Sequence, residues 1–339
     1  MKIAVLFGGL SEERAVSIAS AAKIIPALRE GGHEVFSVDT ASGRLSLTDE
    51  RRLLEAGVTP EPPSSTELAD MGARSVSAAV DTFDIRSADV VLLALHGGAG
   101  EDGRIQSLLD LAGVPYTGSN HIASAVAMDK DLSKRLFRAA GVPTPDWLMS
   151  PVSAAEVERQ LGWPVIVKPN KQGSTIGLSV VRGADGLDAA LRKAHRYDDE
   201  VMIERFLSGR EFTVGILDGE ALPVGEIVAP SEVFDYQSKY QKGGAREIFP
   251  ASIPPAQARQ LQEFALRAHA TLKLGPYSRI DFRLDSEGAP YCLEANSLPG
   301  MTATSLLPQA ALAAGIAFPA LLERICQGAI AASKKSSSL

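Results

Sequence analysis

Apolar and polar positions follow two different periods along this chain, and the change of period divides it. Ile3 to Phe7 form an apolar run that stops at Gly8-Gly9, the pattern of a buried strand feeding a loop. From Arg14 to Arg29 the spacing becomes helical, with Val16, Ile18, Ile24, Ile25 and Leu28 on one broad face. Gly31-Gly32 predicts the stop. A second strand is predicted over Glu34 to Val38. Strand, helix and strand in that order imply a parallel pair with a right-handed crossover. Val90 to Leu95 restores the strand pattern and runs into HGGAGEDG. A helix from about Arg104 to Leu111 and a short run from Val114 to Tyr116 complete this unit.

Residues 41–86 show no clear period. Pro60-Glu61-Pro62-Pro63-Ser64-Ser65 breaks any regular element, so a surface excursion is expected there. A new unit begins near Ser119, with one helix into Met128 and another over Leu132 to Ala140. From Val165 strands dominate. The segments 164–169 and 178–181 flank a GSTIG turn, and 201–205, 211–217 and 221–228 read as an antiparallel sheet under a helix at 185–196. Asp218-Gly219 is a strong hairpin signal. A helix at about 255–274 follows, then a strand pair at 278–284 and 289–295 around Asp285-Ser286-Glu287-Gly288. A loop and a helix at about 318–331 close the chain.

Composition narrows the function classes. A length of 339 residues suggests two or three folded units. With 45% hydrophobic and 22% charged residues, extended disorder is not expected. A net charge of −7 with dispersed basic residues gives no reason to expect a nucleic-acid partner. Cys292 and Cys326 form neither a disulfide framework nor a metal-ligand spacing, and are expected as small buried hydrophobes. No apolar run is long enough for a bilayer span and no cleavable leader is visible, so no membrane association and a cytoplasmic location are expected.

The candidate chemistry is densest in the last strand pair. Arg279 and Asp281 lie two apart, as do Glu294 and Asn296, so each pair shares a strand face. If the hairpin pairs across its turn, one face presents three oxygen donors beside an arginine, a set that can hold Mg²⁺ against polyphosphate. A solvated face with surface ion pairs fits the same spacing. Gly300, in the loop that follows, can present its N–H to an anion, and Ser305 comes within one loop length. Lys168 at a strand end precedes the hydroxyl-rich turn around Ser174, which can fold over phosphates or be an ordinary polar hairpin. Glu204 ends an apolar strand, and Glu211 follows where a ribose hydroxyl could be met. Glu13 and His96 each follow a strand at the carboxyl end of the parallel sheet, where ligands bind in open α/β folds.

Taken in order, GGLSEERAVS, HGGAGEDGRIQS, VIVKPNKQGSTIG, IERFLSGREFTV, FDYQSKY, SRIDF and LEANSLPGMT resemble the D-alanine–D-alanine ligase family from Lys2 to about residue 330. The resemblance implies an α/β fold, α+β overall: an N-terminal parallel-sheet domain (1–118) followed by two ATP-grasp α+β domains (119–207 and 208–332), with a flexible tail at 333–339. It implies ATP and two Mg²⁺ ions, with Mn²⁺ as a substitute, D-alanine as substrate, and a homodimer. By the same resemblance Lys130 and Lys168 contact ATP phosphates, and Lys239 reaches the γ-phosphate. Glu204, Phe206 and Leu207 line the adenine pocket, with Glu211 on the ribose. Asp281, Glu294 and Asn296 hold the metal ions. Glu13 binds the first ammonium in a network with Ser174 and Tyr240. Arg279 and the Gly300 N–H form the oxyanion site. Ser305 and Leu306 place the second D-alanine, and His96 belongs to the substrate site.

The chain departs from the family at Pro276, where a small residue is usual, at Arg283, where an apolar one is usual, and at Val233, which replaces a frequent aromatic. Tyr240 favours an amine acceptor over D-lactate. An ATP-grasp ligase for a different amino-acid pair and a non-catalytic nucleotide-binding protein are the competing readings.

Overall fold

Lys2–Phe7 form β1 at the centre of a four-stranded sheet in the computed structural model, which describes residues 1–55, 83–228, 246–302 and 304–336. The other strands are β2 (Glu34–Asp39), β3 (Gly43–Arg44) and β4 (Val90–Leu93), in the order β3-β2-β1-β4. β1 runs parallel to both neighbours. Its apolar run is continuous because it is covered on both faces, and Ile3 to Phe7 are fully buried. Helix Arg14–Glu30 lays Ala21, Ile24, Ile25 and Leu28 into this core.

Three expectations change here. The strand ends at Leu93, and Ala94 and Leu95, though buried, carry the chain into the His96 loop. Residues 114–116 contribute only a bridge from Tyr116 to Val91. Within the expected excursion, Leu47–Leu54 is a helix, capped by Ser46 Oγ accepting from the Asp49 N–H at 3.1 Å. Pro60 to Ser65 lie outside the described residues.

The second sheet holds β5 (Trp147–Met149), β6 (Val165–Pro169), β7 (Ser179–Val181) and β8 (Val201–Arg205), antiparallel in the order β5-β8-β6-β7. Helices Ala154–Gln160 and Leu187–Ala194 cover one face, over Val165, Val167, Val201 and Ile203. Strand alternation therefore turns Ile166, Lys168 and Glu204 to the opposite face. Helices His121–Met128 and Lys130–Ala139 lead into this unit.

The third sheet holds β9 (Glu211–Leu217), β10 (Glu220–Ala221), β11 (Gly225–Val228), β12 (Arg246–Ile248), β13 (Tyr277–Leu284) and β14 (Pro290–Asn296). Its order is β12-β11-β9-β13-β14, with β10 on β9. Asp218 and Gly219 turn between β9 and β10 with φ of 53° and 81°, the doubly left-handed geometry that Asp-Gly favours. Helix Pro255–Thr271 packs on Phe212, Val214, Ile216, Ile280 and Phe282, so the odd-numbered residues of β9 and β13 face away from it.

The expected single sheet over 201–228 is thus two sheets. Residues 206–210 carry the chain from one to the other. At Gly209 a Cβ would stand 2.5 Å from the Leu284 carbonyl oxygen, so the crossing passes close against the end of β13. Period alone could not separate the sheets, because both alternate in the same way. Helix Leu306–Ala313, in what was expected as loop, and helix Phe318–Ser336 close the fold. Leu321, Leu322, Ile325 and Cys326 of the last helix join the core of the first sheet. Both cysteines are buried and free. Among the described residues no single helix is long and apolar enough to cross a membrane.

Candidate active site

The cleft between the second and third sheets is lined by side chains that strand alternation aims into it. On β13 and β14, Arg279 stands opposite Asn296 and Asp281 opposite Glu294, with a bulge after Asp281. Asp281 is almost buried, at 8% exposure, and is held from several sides. Arg279 donates through Nε to Oδ1 and through Nη2 to Oδ2, each at 2.9 Å. Thr213 Oγ1 donates to Oδ1 at 2.7 Å and Asn296 Nδ2 to Oδ2 at 3.0 Å. Glu294 lies beside Asp281 and faces Lys130 Nζ at 3.5 Å. Two carboxylates and an amide on one face suit a hard divalent cation. No group of three His, Cys, Asp or Glu side chains assembles among the described residues. Asp281, Glu294 and Asn296 would supply oxygen ligands to such an ion but fewer than its full shell.

The facing wall carries a buried charge triad. Glu204 accepts from Lys168 Nζ at 2.8 Å on one carboxylate oxygen and from Lys134 Nζ on the other. Lys134 is fully buried, 5.0 Å from the Trp147 ring centre. Burial pushes its ammonium down to about 8, against the opposing pull of Glu204. For Glu204 burial acts upward, but the two lysines outweigh it and hold the carboxyl below its ordinary range. Sequence reading missed Lys134, because it falls in the helical pattern after Lys130 and nothing local marks its neighbour across the fold.

The depressed lysine makes a prediction. Unfolded, Lys134 keeps its proton to about pH 10.4, whereas folded it releases it near 8. Between those values the unfolded chain binds more protons, so stability rises with pH. In urea titrations, wild type gains stability relative to Lys134→Met across that window, and the difference is flat below it. A flat difference throughout would mean Lys134 is not buried as described.

Phe206, Leu207, Glu211 and Arg283 line the same cavity as Lys130, Lys168 and Glu204. Arg283, the departure noted in the sequence, stands 5.5 Å over the Phe206 ring and 3.7 Å from Glu211 Oε2, and its Nε donates to the Gly209 carbonyl at 3.2 Å. It ties the crossing segment to β9. Pro276 accepts from the Asp218 N–H through its carbonyl at 2.7 Å, and β13 starts directly after it.

A second, more polar cavity adjoins the first and shares Gly173, Ser174, Arg279, Glu294 and Leu306 with it. Glu13, His96, Gly300 and Ser305 line it. Buried Glu13 accepts from Ser174 Oγ and is sandwiched between two glycines. A Cβ at Gly97 or at Gly173 would each fall 2.8 Å from Glu13 Oε2. The loop before Glu13 is clamped: Arg14 donates to Asp39 and to the Gly9 carbonyl, and Asp39 Oδ1 accepts from the Gly9 N–H at 3.1 Å. Burial would raise the Asp39 carboxyl, but Arg14 and the Ala41 and Gly9 amides keep it below its ordinary range.

His96 Nε2 lies 3.2 Å from Ser20 Oγ, and its Nδ1 lies 3.8 Å from Glu101. Ser174 and Thr175 adopt φ of 49° and 59°, left-handed conformations that cost non-glycine residues roughly 1–2 kcal/mol each. This strain sits where the turn reaches Glu13. Ser305 Oγ accepts from the Thr302 N–H at 2.9 Å, just before helix Leu306–Ala313. Glu101, Thr213 and Glu247 belong to the site and escaped the sequence reading. Lys239 and Tyr240 lie outside the described residues, as does Val233.

Comparison with known proteins agrees along the whole chain. Residues 2–119 match the family model for the D-ala D-ala ligase N-terminus, and residues 136–327 match that for the D-ala D-ala ligase C-terminus. A D-alanine--D-alanine ligase of Synechococcus sp. (strain JA-2-3B'a(2-13)) is 39% identical over 336 residues, 97% of this chain and 93% of its own. One of Anaeromyxobacter sp. (strain Fw109-5) is 40% identical over 332 residues, 97% of this chain and 96% of its own. The crystal structure of D-alanine--D-alanine ligase from Bacillus anthracis superposes with a TM-score of 0.76 at 33% identity, covering 99% of both chains. A crystal structure of D-alanine--D-alanine ligase from Bacillus anthracis complexed with ATP gives 0.75 at 31% identity, also covering 99% of both chains.

Proposed function

The chain belongs to the D-alanine–D-alanine ligase family, with its ATP-grasp fold, and on that premise we infer that it joins two D-alanines, converting ATP to ADP and phosphate. The observation that carries this reading is the meeting of the two cavities at Arg279 and Glu294. One holds a nucleotide and the other amino acids, and the shared wall is where a γ-phosphate and a carboxylate can react.

In the first step the carboxylate of the first D-alanine attacks the γ-phosphorus, the bond to ADP breaks, and an acyl phosphate forms. Lys130, Lys168 and Lys239 offset charge on the phosphates. Asp281, Glu294 and Asn296 would hold two Mg²⁺ ions, which when bound neutralise phosphate charge. Glu13 holds the first ammonium, oriented by Ser174 and Tyr240, with His96 beside it. Glu204, Phe206 and Leu207 receive the adenine and Glu211 the ribose. In the second step the amine of the other D-alanine, placed by Ser305 and Leu306, attacks the acyl carbon and phosphate leaves. Arg279 and the Gly300 N–H stabilise the tetrahedral oxyanion, such a donor being worth about 2.7–4 kcal/mol. Water must be kept from the acyl phosphate, a task suited to the Ser174 turn.

This reading extends to a cytoplasmic homodimer that supplies D-alanyl-D-alanine to peptidoglycan precursors, with domains at 1–118, 119–207 and 208–332. An isotope experiment tests the acyl-phosphate route. D-Alanine labelled with ¹⁸O in its carboxylate should transfer one label to each phosphate released. Unlabelled phosphate would mean that ATP is cleaved by water instead.

A further inference from the structure

The segment that crosses from the second sheet to the third is gripped by one side chain at three points. Arg283 stands opposite Glu211 in the register of β13 and β9, and both line the first cavity. Its Nη1 lies 3.7 Å from Glu211 Oε2, its guanidinium stands 5.5 Å from the Phe206 ring centre, and its Nε donates to the Gly209 carbonyl at 3.2 Å. The backbone of the segment is also laced to the end of β13. The Gly209 N–H donates to the Leu284 carbonyl at 3.0 Å, and the Leu284 N–H donates to the Arg210 carbonyl at 2.9 Å. Backbone bonds thus fix the path of the crossing, and Arg283 fixes the side chains that rise from it.

Among the described residues, the other cations lining this cavity are committed to other acids. Lys130 faces Glu294, Lys168 faces Glu204, Arg205 faces Asp146 and Arg279 holds Asp281. Arg210, next to Glu211 in the chain, donates to Glu226 instead, at 2.6 Å. Arg283 is therefore the cation that the fold sets on Glu211. Both side chains are only 16% exposed, so solvent ions screen their attraction weakly. At 3.7 Å the contact is one of charge rather than a hydrogen bond. A carboxylate has about four acceptor sites, so this contact orients Glu211 without using its capacity for hydroxyl donors.

We propose that Arg283 is a positioning residue that aims the Glu211 carboxylate at the ribose hydroxyls, so that the nucleotide site selects ribose over a sugar lacking them. This rests on the nucleotide half of the ligase reading above. There Phe206 and Leu207 receive the base and Glu211 the sugar. Arg283 touches the first and the last of these three, so one guanidinium sets the spacing between the base contact and the ribose contact.

The test is binding of ADP and of 2′,3′-dideoxy-ADP, with Mg²⁺ present, by titration calorimetry of wild type, Arg283→Leu and Arg283→Lys. An apolar residue is usual at this position in the family, so leucine suits the strand. Wild type should prefer ADP by about 10–100-fold, the worth of hydrogen bonds to a charged acceptor. In Arg283→Leu that preference should shrink by roughly tenfold, because the loss falls on ADP. Lysine keeps a charge near Glu211 but not the planar contacts with Phe206 and Gly209, so Arg283→Lys should recover part of the preference. In a Glu211→Gln background the leucine substitution should leave the preference unmoved, since the two residues act as one unit. A preference that survives Arg283→Leu, or equal weakening of both nucleotides, would mean that Arg283 only supports the wall, and overturns the proposal. Wild type that binds ADP no better than the dideoxy analogue overturns it as well. Wild type that binds neither overturns the nucleotide reading of this cavity. Because the titration needs no amino acid, absence of dipeptide synthesis would overturn the ligase reading alone.

Discussion

Replacing Arg279 with methionine should lower kcat for dipeptide formation by roughly 10²–10³-fold while leaving the KM for ATP nearly unchanged. Arg279 stands on the wall shared by the two cavities, at 14% side-chain exposure, with its guanidinium fixed on Asp281. A donor already held in place costs little reorganisation when oxyanion charge develops. The loss should therefore fall on the transition state and appear in kcat. Lysine at this position keeps the charge but cannot reproduce the two-nitrogen grip on Asp281, so Arg279→Lys should restore only part of the rate. Steady-state kinetics with ATP and amino acid varied separately provides the check. A variant with intact kcat and a raised KM would make Arg279 a ground-state binding residue only.

The largest expected loss of stability is at Glu204. Glu204→Leu leaves Lys134 and Lys168 without the carboxylate that both now share, and Lys134 is fully buried. Breaking a buried pair by removing one partner costs about 3–5 kcal/mol, because the remaining charge is uncompensated. Replacing Lys134 as well, by methionine, should recover part of the loss, since a buried cation is then absent. Urea denaturation of both variants measures this. A loss below roughly 1 kcal/mol, the worth of an exposed pair, would mean that the triad is open to water.

These expectations draw on unequal shares of sequence and structure. The acidic face of the last strand pair was legible because strand alternation is local. Arg279 and Asp281 two apart, and Glu294 and Asn296 two apart, needed only a hairpin register to meet, and the register observed is that one. Asp218-Gly219 was legible for a similar reason, since the turn depends on its own two residues. What lay hidden is what the chain assembles over long separations. Lys134 meets Glu204 across 70 positions, and Thr213 meets Asp281 across 68. Neither polar residue carries a mark of its partner. The split between the second and third sheets was hidden because alternation fixes a face and not a neighbour. Helix Leu306–Ala313 was missed beneath the Gly-Pro signals around it, although its Pro308 sits in the first turn, where proline is tolerated.

On the proposed function, the two cavities hold ATP and two D-alanines and join the amino acids where they meet. The direct measurement is phosphate release with ATP and Mg²⁺ in the presence of D-alanine, L-alanine, D-serine or D-lactate, with each product identified by mass. D-Alanine should give release and D-alanyl-D-alanine, and L-alanine or D-lactate alone should give no comparable release. Absence of D-alanine-dependent release, or a product other than the dipeptide, would contradict that function.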